Sequence, residues 1–527
     1  MKSLGNNCRK LLLAATLAGI ATWAEVSLAQ PAGDSETTNR IRIVALEGTV
    51  EVSPRGAITW VTTVTNQILR PFDRVRTGPN SRMTLRWSDE SVITIGARTE
   101  LEILSPHEPK DEFGLHLIKG ILSFFHRDRP GRIRVITSGA QAGVRGTEFV
   151  LAVDTNGPVD RTTISVIDGI VQFYNDQGSR TLTNLQQAVA EPGQPPSLPV
   201  GFVANNVLQW CFYYPAVLDL REVPLTSQEE AALSDSLRAY RAGDLVAALH
   251  SYPAGRQAAS AAERLYYAAV LLSVGQVEQT EKTLGALSSA TSDDRIQRLA
   301  SALRRLVAAV KRQDEPSTRT PQLSTELMAS SYYEQSRAIR ETSLRTALDL
   351  AHRAATNSPE FGFAWERVAE LEFSFGRTDR ALEALNRSLQ LSPRNAQALA
   401  LKGFLLAAQN RESEAVWWFE DALAVDPTLA NAWLGRGLCR IRRGNLIQGR
   451  EDLLVAAALE PQRALLRNYL GKAYAEKGDF PRASKELELA KRLDKNDPTA
   501  WLYSALLNQQ YNRVNEAIRD LEHSQEL

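Results

Sequence analysis

From Arg40 to about Ala190 apolar and polar residues alternate along the chain. Ile41-Arg-Ile-Val, Arg82-Met-Thr-Leu-Arg-Trp, Ser91-Val-Ile-Thr-Ile, Thr99-Glu-Leu-Glu-Ile and Arg132-Ile-Arg-Val-Ile all show it. A period of two is the pattern of half-buried antiparallel strands. Turn residues separate the segments at Gly48, Gly78-Pro79-Asn80, Asp89-Glu90, Gly120, Asn156-Gly157, Asp168-Gly169 and Gln177-Gly178. The spacing predicts an all-β domain over 40–190 with ten or so short strands. Near Thr226 the period changes to that of helices, and Ser227-Gln-Glu-Glu reads as an N-terminal capping pattern. Ala239, Gly243 and Ala248, then Ala268, Gly275 and Leu284, indicate two degenerate helical pairs within 226–312, with a helix from about Asp294. The polar stretch Arg312–Pro321 is expected to be a loop that splits the helical array.

Over 328–527 one pattern returns every 34 residues, marked by Pro359, Pro393, Pro427 and Pro461. Ala369, Gly403, Gly437, Gly471 and Ala505 hold one register, and Trp365, Leu399, Trp433 and Trp501 another. A fixed period of this length marks an array of helical pairs. Small residues at Ala381, Ala415, Gly449, Ala483 and Ala517 let the two helices of a pair approach, and Leu385, Phe419, Leu453, Leu487 and Leu521 fill the space between pairs. Proline ends one repeat and starts the next. Gly376, Gly444 and Gly478 fall where the helices of a pair must turn.

Trp365–Ala369 (W-x2-V-A), Trp433–Gly437 (W-x3-G) and Leu470–Tyr474 (L-G-x2-Y) resemble the tetratricopeptide repeat family. The resemblance implies a superhelix with a concave groove that holds other proteins, lined by fixed positions of each first helix. Those positions are Phe363, Glu366, Glu370 and Phe373; Gln397, Ala400, Phe404 and Ala407; Asn431, Leu434, Leu438 and Ile441; Leu465, Asn468, Lys472 and Ala475; and Thr499, Leu502, Leu506 and Gln509. Apolar side chains with a few asparagines suit an amphipathic helix or an extended peptide. Phe404, Leu438 and Ile441 could equally be core between repeats. After the helix carrying Ala517 and Leu521 no polar cap follows, so a partner covers that end or the architecture continues further in relatives.

In the β region, Val75-Arg-Thr-Gly, Val144-Arg-Gly-Thr-Glu-Phe-Val-Leu-Ala-Val and Val166-Ile-Asp-Gly-Ile-Val resemble a FecR-type domain. That likeness runs over roughly Ile43–Ala190 and implies an envelope-facing β domain, known from regulators that relay signals from outer-membrane receptors to sigma factors. The chain lacks the cytoplasmic segment and transmembrane helix of those regulators. Arg145 and Glu148 could form an acid–base pair. The plainer expectation is that Gly143 and Gly146 permit a bulge and the two charges satisfy one another or the turn. The fold class expected overall is therefore multidomain β + α, a FecR-type domain followed by a solenoid.

Residues 191–225 read as a linker, proline-rich at Glu191–Pro199 and then aromatic over Val207–Asp219. So apolar a run would be a sticky patch in water, so it is expected to pack against the β domain, the first helices or both. It also resembles a Q-W-x-x-Y-Y-P segment that follows FecR-type domains in chains with such repeats. At the start, Lys2, Arg9 and Lys10 precede an apolar run from Leu11 to about Ala21, followed by Ser27 and Ala29. Residues 1–29 read as an export signal cleaved after Ala29, the run being too short to span a membrane comfortably. A periplasmic or cell-envelope location in a bacterium follows, with no transmembrane segment in the mature chain. Only Cys211 and Cys439 then remain, expected as free thiols.

Charge separates fewer possibilities, with 61 basic and 61 acidic residues. No overall field attracts nucleic acid. The six histidines form no H-E-x-x-H pair and none sits at ligand spacing from a cysteine, and G-x-S-x-G, G-x-x-x-x-G-K and G-x-G-x-x-G are all missing. The expectation is a non-enzyme with no cofactor and no metal. Three functional classes stay open: an adaptor docking envelope proteins on its repeats, an envelope sensor, and a binder of cell-wall polysaccharide through Trp60 and Trp87.

Overall fold

The structure is a computed structural model. It describes residues 41–79, 81–87, 91–105, 114–125, 133–155, 157–184, 186–198, 215–290, 293–311, 313–315, 319–337 and 341–527, with the backbone alone at 144–146, 288–290 and 341. The expected signal at 1–29, Cys211 and residues 207–214 of the aromatic run lie outside the described residues.

Among the described residues, fourteen strands between Ile41 and Ala190 form one sheet. Alternation predicts fewer because Val61–Thr62 and Ile68–Leu69 are pairings too short to show a period. The long strands Gly114–Phe125, Gln141–Asp154 and Arg161–Asn175 lie side by side and antiparallel, while the short strand Arg134–Ile136 runs parallel to the first. Inward residues such as Ile43, Leu85, Phe124, Phe149 and Phe173 make a closed core. The register slips on both sides of Glu148, as the flanking glycines led us to expect, and places Glu148 opposite both Phe125 and Asp168.

Eighteen helices follow among the described residues. The first six are α1 (Ser227–Ala232), α2 (Ser234–Ala242), α3 (Leu245–His250), α4 (Ala261–Ser273), α5 (Val277–Ala290) and α6 (Asp294–Lys311). Next come α7 (Ser324–Ser336), α8 (Glu341–Asn357), α9 (Gly362–Ser374), α10 (Thr378–Leu391), α11 (Ala396–Ala408) and α12 (Glu412–Val425). The last are α13 (Ala430–Arg442), α14 (Leu446–Leu459), α15 (Ala464–Glu476), α16 (Phe480–Leu493), α17 (Pro498–Gln510) and α18 (Val514–Glu526). From α9 onward each odd-numbered helix packs on the next even one, as the 34-residue period requires. Thr226 caps α1 in a reciprocal box with Glu229, one residue before the predicted start. Gly376, Gly444 and Gly478 take positive φ at the turn within each pair, and Asn410 and Asn512 take it at the equivalent positions. Asparagine tolerates that backbone next best after glycine.

Close packing explains the small positions. A Cβ on Gly449 would sit 2.7 Å from the Gly437 carbonyl oxygen, and one on Gly435 would sit 2.1 Å from Phe419 Cζ. The two helices of this repeat therefore touch backbone to backbone, and the Phe419 ring fills the space beside them.

One expectation changes. The polar stretch at 312–321 does not split the array, because α6 and α7 pack together. Arg298 chelates Glu326 and Arg305 lies 4.0 Å over the Tyr333 ring, so side-chain bonds span the loop. The described end of the aromatic run packs against the first helices, one of the placements expected for it. Ala216, Val217 and Leu218 are buried among the first helices, Tyr240 donates to the Leu218 carbonyl, and Glu222 accepts from the Ser324 and Thr325 amides that open α7. A carboxylate at a helix N-terminus meets unpaired amides and the positive end of the dipole. Asp219 binds the Ser358 hydroxyl one repeat on. The first helices also reach the later ones, since the Arg394 guanidinium pairs with Asp244 at 2.7 Å.

Candidate protein-binding site

A trough of 460 Å³ opens along α11, α13, α15 and α17, and every residue lining it comes from the first helix of its pair. The predicted residues Phe404, Ala407, Leu438, Ile441 and Lys472 meet there. Tyr469 and Tyr503 join them, their rings 6.2 Å apart, and the sequence reading missed both. Their signal is present, an aromatic side chain 34 residues apart at one repeat position. Phe404 also stacks edge-on against Phe419 at 4.9 Å, so it serves core and trough together. Lys472 lies 5.5 Å from the Tyr503 ring and 3.9 Å from Glu476, and Arg442 holds the rim by donating to Asn410. An apolar floor between cations and one carboxylate suits an amphipathic segment.

The other predicted residues lie elsewhere. Asn468 is fully buried and donates to Asp497, the residue that caps α17, while Asn431 accepts from Arg463. Both asparagines tie one repeat to the next, so they are not contacts for a partner. Glu366 is buried, and desolvation beside Glu370 pushes its carboxyl up to about 8. Glu370 itself is held by Arg367, and Phe373 packs against the core of the earlier helices. Gln397 lines a narrow cleft against the β domain with Glu47 and Arg82. Leu502 is exposed on α17 outside the trough. Of the two candidate sugar platforms, Trp87 is 2% exposed and cannot meet a glycan face. Trp60 carries the Arg76 guanidinium 4.4 Å above its ring.

The other face of the last repeats is occupied by the β domain. Arg467 of α15 is fully buried, donates to Glu148 at 2.7 Å, pairs with Glu486 at 3.3 Å, and lies 4.8 Å over the Phe125 ring. Asp168, opposite Glu148 in the sheet, pairs with Arg492 at 2.7 Å and Lys485 at 3.6 Å on α16. Arg86 reaches Glu451 at 2.7 Å, and Arg82 donates to the Val274 carbonyl. Glu148 therefore works between domains, which corrects its expected role as a charge satisfied within its own turn. The side chain of Arg145 lies outside the described residues.

Why Arg467 sits there is visible in the repeat. It holds the position that Trp365 and Trp433 hold in theirs. Those indoles donate to the Pro359 and Pro427 carbonyls, and Arg467 donates to Pro461 in the same way. The guanidinium keeps that bond and has donors left for two carboxylates. On the trough side, Cys439 is a buried free thiol whose pKa burial pushes up to about 11, so it stays protonated at neutral pH. Among the described residues no group of three histidine, cysteine or acidic side chains could hold a metal ion, and no helix is long and apolar enough to cross a membrane.

Residues 73–172 match the model of the FecR protein family. The helical region is 28% identical over 152 residues to anaphase-promoting complex subunit 3 of Schizosaccharomyces pombe, covering 29% of this chain and 23% of that one. It is 27% identical over 150 residues to the tetratricopeptide repeat-containing protein trd-1 of Caenorhabditis elegans, covering 28% and 20%. The chain carries a FecR domain followed by tetratricopeptide repeats. It spans about a fifth of the length of these curated relatives. A crystal structure of the APC/C hetero-tetramer Cut9–Hcn1 aligns with a TM-score of 0.44 at 16% identity, over 60% of this chain and 65% of that one. The FecR match includes Glu148 and Asp168, two of the acids that meet the repeats.

Proposed function

We propose that this chain is a non-catalytic, exported cell-envelope adaptor whose repeats hold protein partners in the trough along α11, α13, α15 and α17. The observation that carries the reading is the pairing of an open apolar trough on one face with a β domain clamped to the other. Phe404, Leu438, Ile441, Tyr469 and Tyr503 supply the apolar surface, and Lys472 supplies a cation beside it. The reading commits to an amphipathic helix or extended peptide with a carboxylate for Lys472. Leu438→Asp and Tyr469→Ala, in mature protein beginning at residue 30, should each abolish co-purification of a partner that wild type retains from envelope extract. Retention by both variants would contradict the reading. Export itself is tested by N-terminal mass spectrometry of the envelope fraction, with Gln30 as the expected first residue.

The FecR match supports a second reading, an envelope sensor that feeds a transcriptional response. A sigma factor or membrane regulator recovered on the trough would favour it.

A further inference from the structure

The β domain seats itself on the outer side of the array, in the groove between α14 and α16 floored by Arg467 of α15. Three repeats earlier the same groove, between α8 and α10 and floored by Trp365 of α9, stands open with a volume of 730 Å³. The residues correspond one for one under the 34-residue period. Trp365 takes the place of Arg467, Glu383 of Lys485 and Gln390 of Arg492. The cations that meet Glu148 and Asp168 in the occupied groove are thus absent from those positions in the open one. Cations return at Arg380 and Arg387 instead, both lining the cavity and exposed. Neither has a hydrogen-bond or ion-pair partner among the described residues. His352 closes one wall, 3.3 Å from Glu372, whose charge Arg377 balances at 3.0 Å.

What fits the open groove can be read from what fills the closed one. There the occupant is the outer face of the sheet, on which Phe125 and Glu148 stand opposite one another on neighbouring strands, the ring against the floor and the carboxylate on a guanidinium. We propose that the groove floored by Trp365 is a second docking site of the same kind, taking an exposed β-sheet face of another protein that carries a carboxylate beside an aromatic ring on the neighbouring strand. Trp365 offers the ring a stacking partner. Arg380 and Arg387 offer the carboxylate planar, bidentate donors.

A cyclised two-stranded peptide copying 120–125 and 148–153 presents Phe125 and Glu148 side by side and serves as the probe, its binding to the full chain read by fluorescence anisotropy. Saturable binding is expected. It should weaken about tenfold or more in R380E/R387E, and equally for a probe with Glu148→Gln, while K472E in the trough leaves it unchanged. Both arginines are exposed and unpaired, so the double variant should melt like wild type; if it does not, R387E alone gives the same comparison. Absence of saturable binding, full affinity in the arginine variants, or loss on K472E would each overturn the proposal.

Discussion

At Arg467 one side chain does two tasks that other repeats leave to one tryptophan and a solvent-facing groove. It closes its own repeat by donating to the Pro461 carbonyl, and it meets Glu148 and Glu486 where all three are 1% exposed or less. Two carboxylates share that cation, so removing it and removing one acid are unequal events. Arg467→Met should destabilise the protein by about 3–5 kcal/mol, the usual cost of stranding buried charge. Glu148→Gln should cost about 1–3 kcal/mol, because Arg467 keeps Glu486. Urea denaturation of the two variants checks the order, and equal losses would contradict it. Half of this was legible in the sequence. The gap in the series Trp365, Leu399, Trp433 and Trp501 marks position 467 as unusual. Its partner Glu148 lies 319 residues away, and no periodicity encodes a contact at that distance.

Among the elements, the repeats were legible because packing repeats with them. Each buried alanine, glycine or leucine recurs at its position, so one repeat explains the next. Gly435→Ala puts a Cβ into the Phe419 ring and should cost about 1–3 kcal/mol by overpacking. Phe419→Leu in the same chain should recover part of that loss, since the bulk in its way is gone. A double variant no more stable than the sum of its parts would mean that the ring is not what the glycine accommodates. The trough was only half legible. A repeat position says which way a side chain points, and Phe404, Leu438, Ile441 and Lys472 do point there. Asn431 and Asn468 occupy groove positions too, yet their amides are taken by Arg463 and Asp497 of the next repeat. Which of the two uses wins depends on the neighbouring repeat, and the position alone does not carry that information.

Across the whole molecule the β domain and the array meet in a seam of charges, and burial shifts one of them, Glu47. Glu47 lies 3.5 Å from Arg82 and accepts from Thr428, and burial raises its carboxyl from 4.5 to about 7. The folded chain then holds a proton that the unfolded chain releases near pH 4.5. Stability from this group is full below that pH and is lost as pH rises towards 7, on the order of 3 kcal/mol across the window. Glu47→Gln should flatten the melting profile between pH 5 and 7.5, and an unchanged slope would count against the buried carboxyl as its source. The seam as a whole is what the account rests on, since it leaves one face of the array free and commits the other. Its most direct test is a double-mutant cycle on Glu148→Gln and Arg467→Met followed by urea denaturation. A coupling energy of about 1.5 kcal/mol or more is predicted. Losses that add to within about 0.5 kcal/mol would show that the β domain and the repeats do not hold one another through that pair.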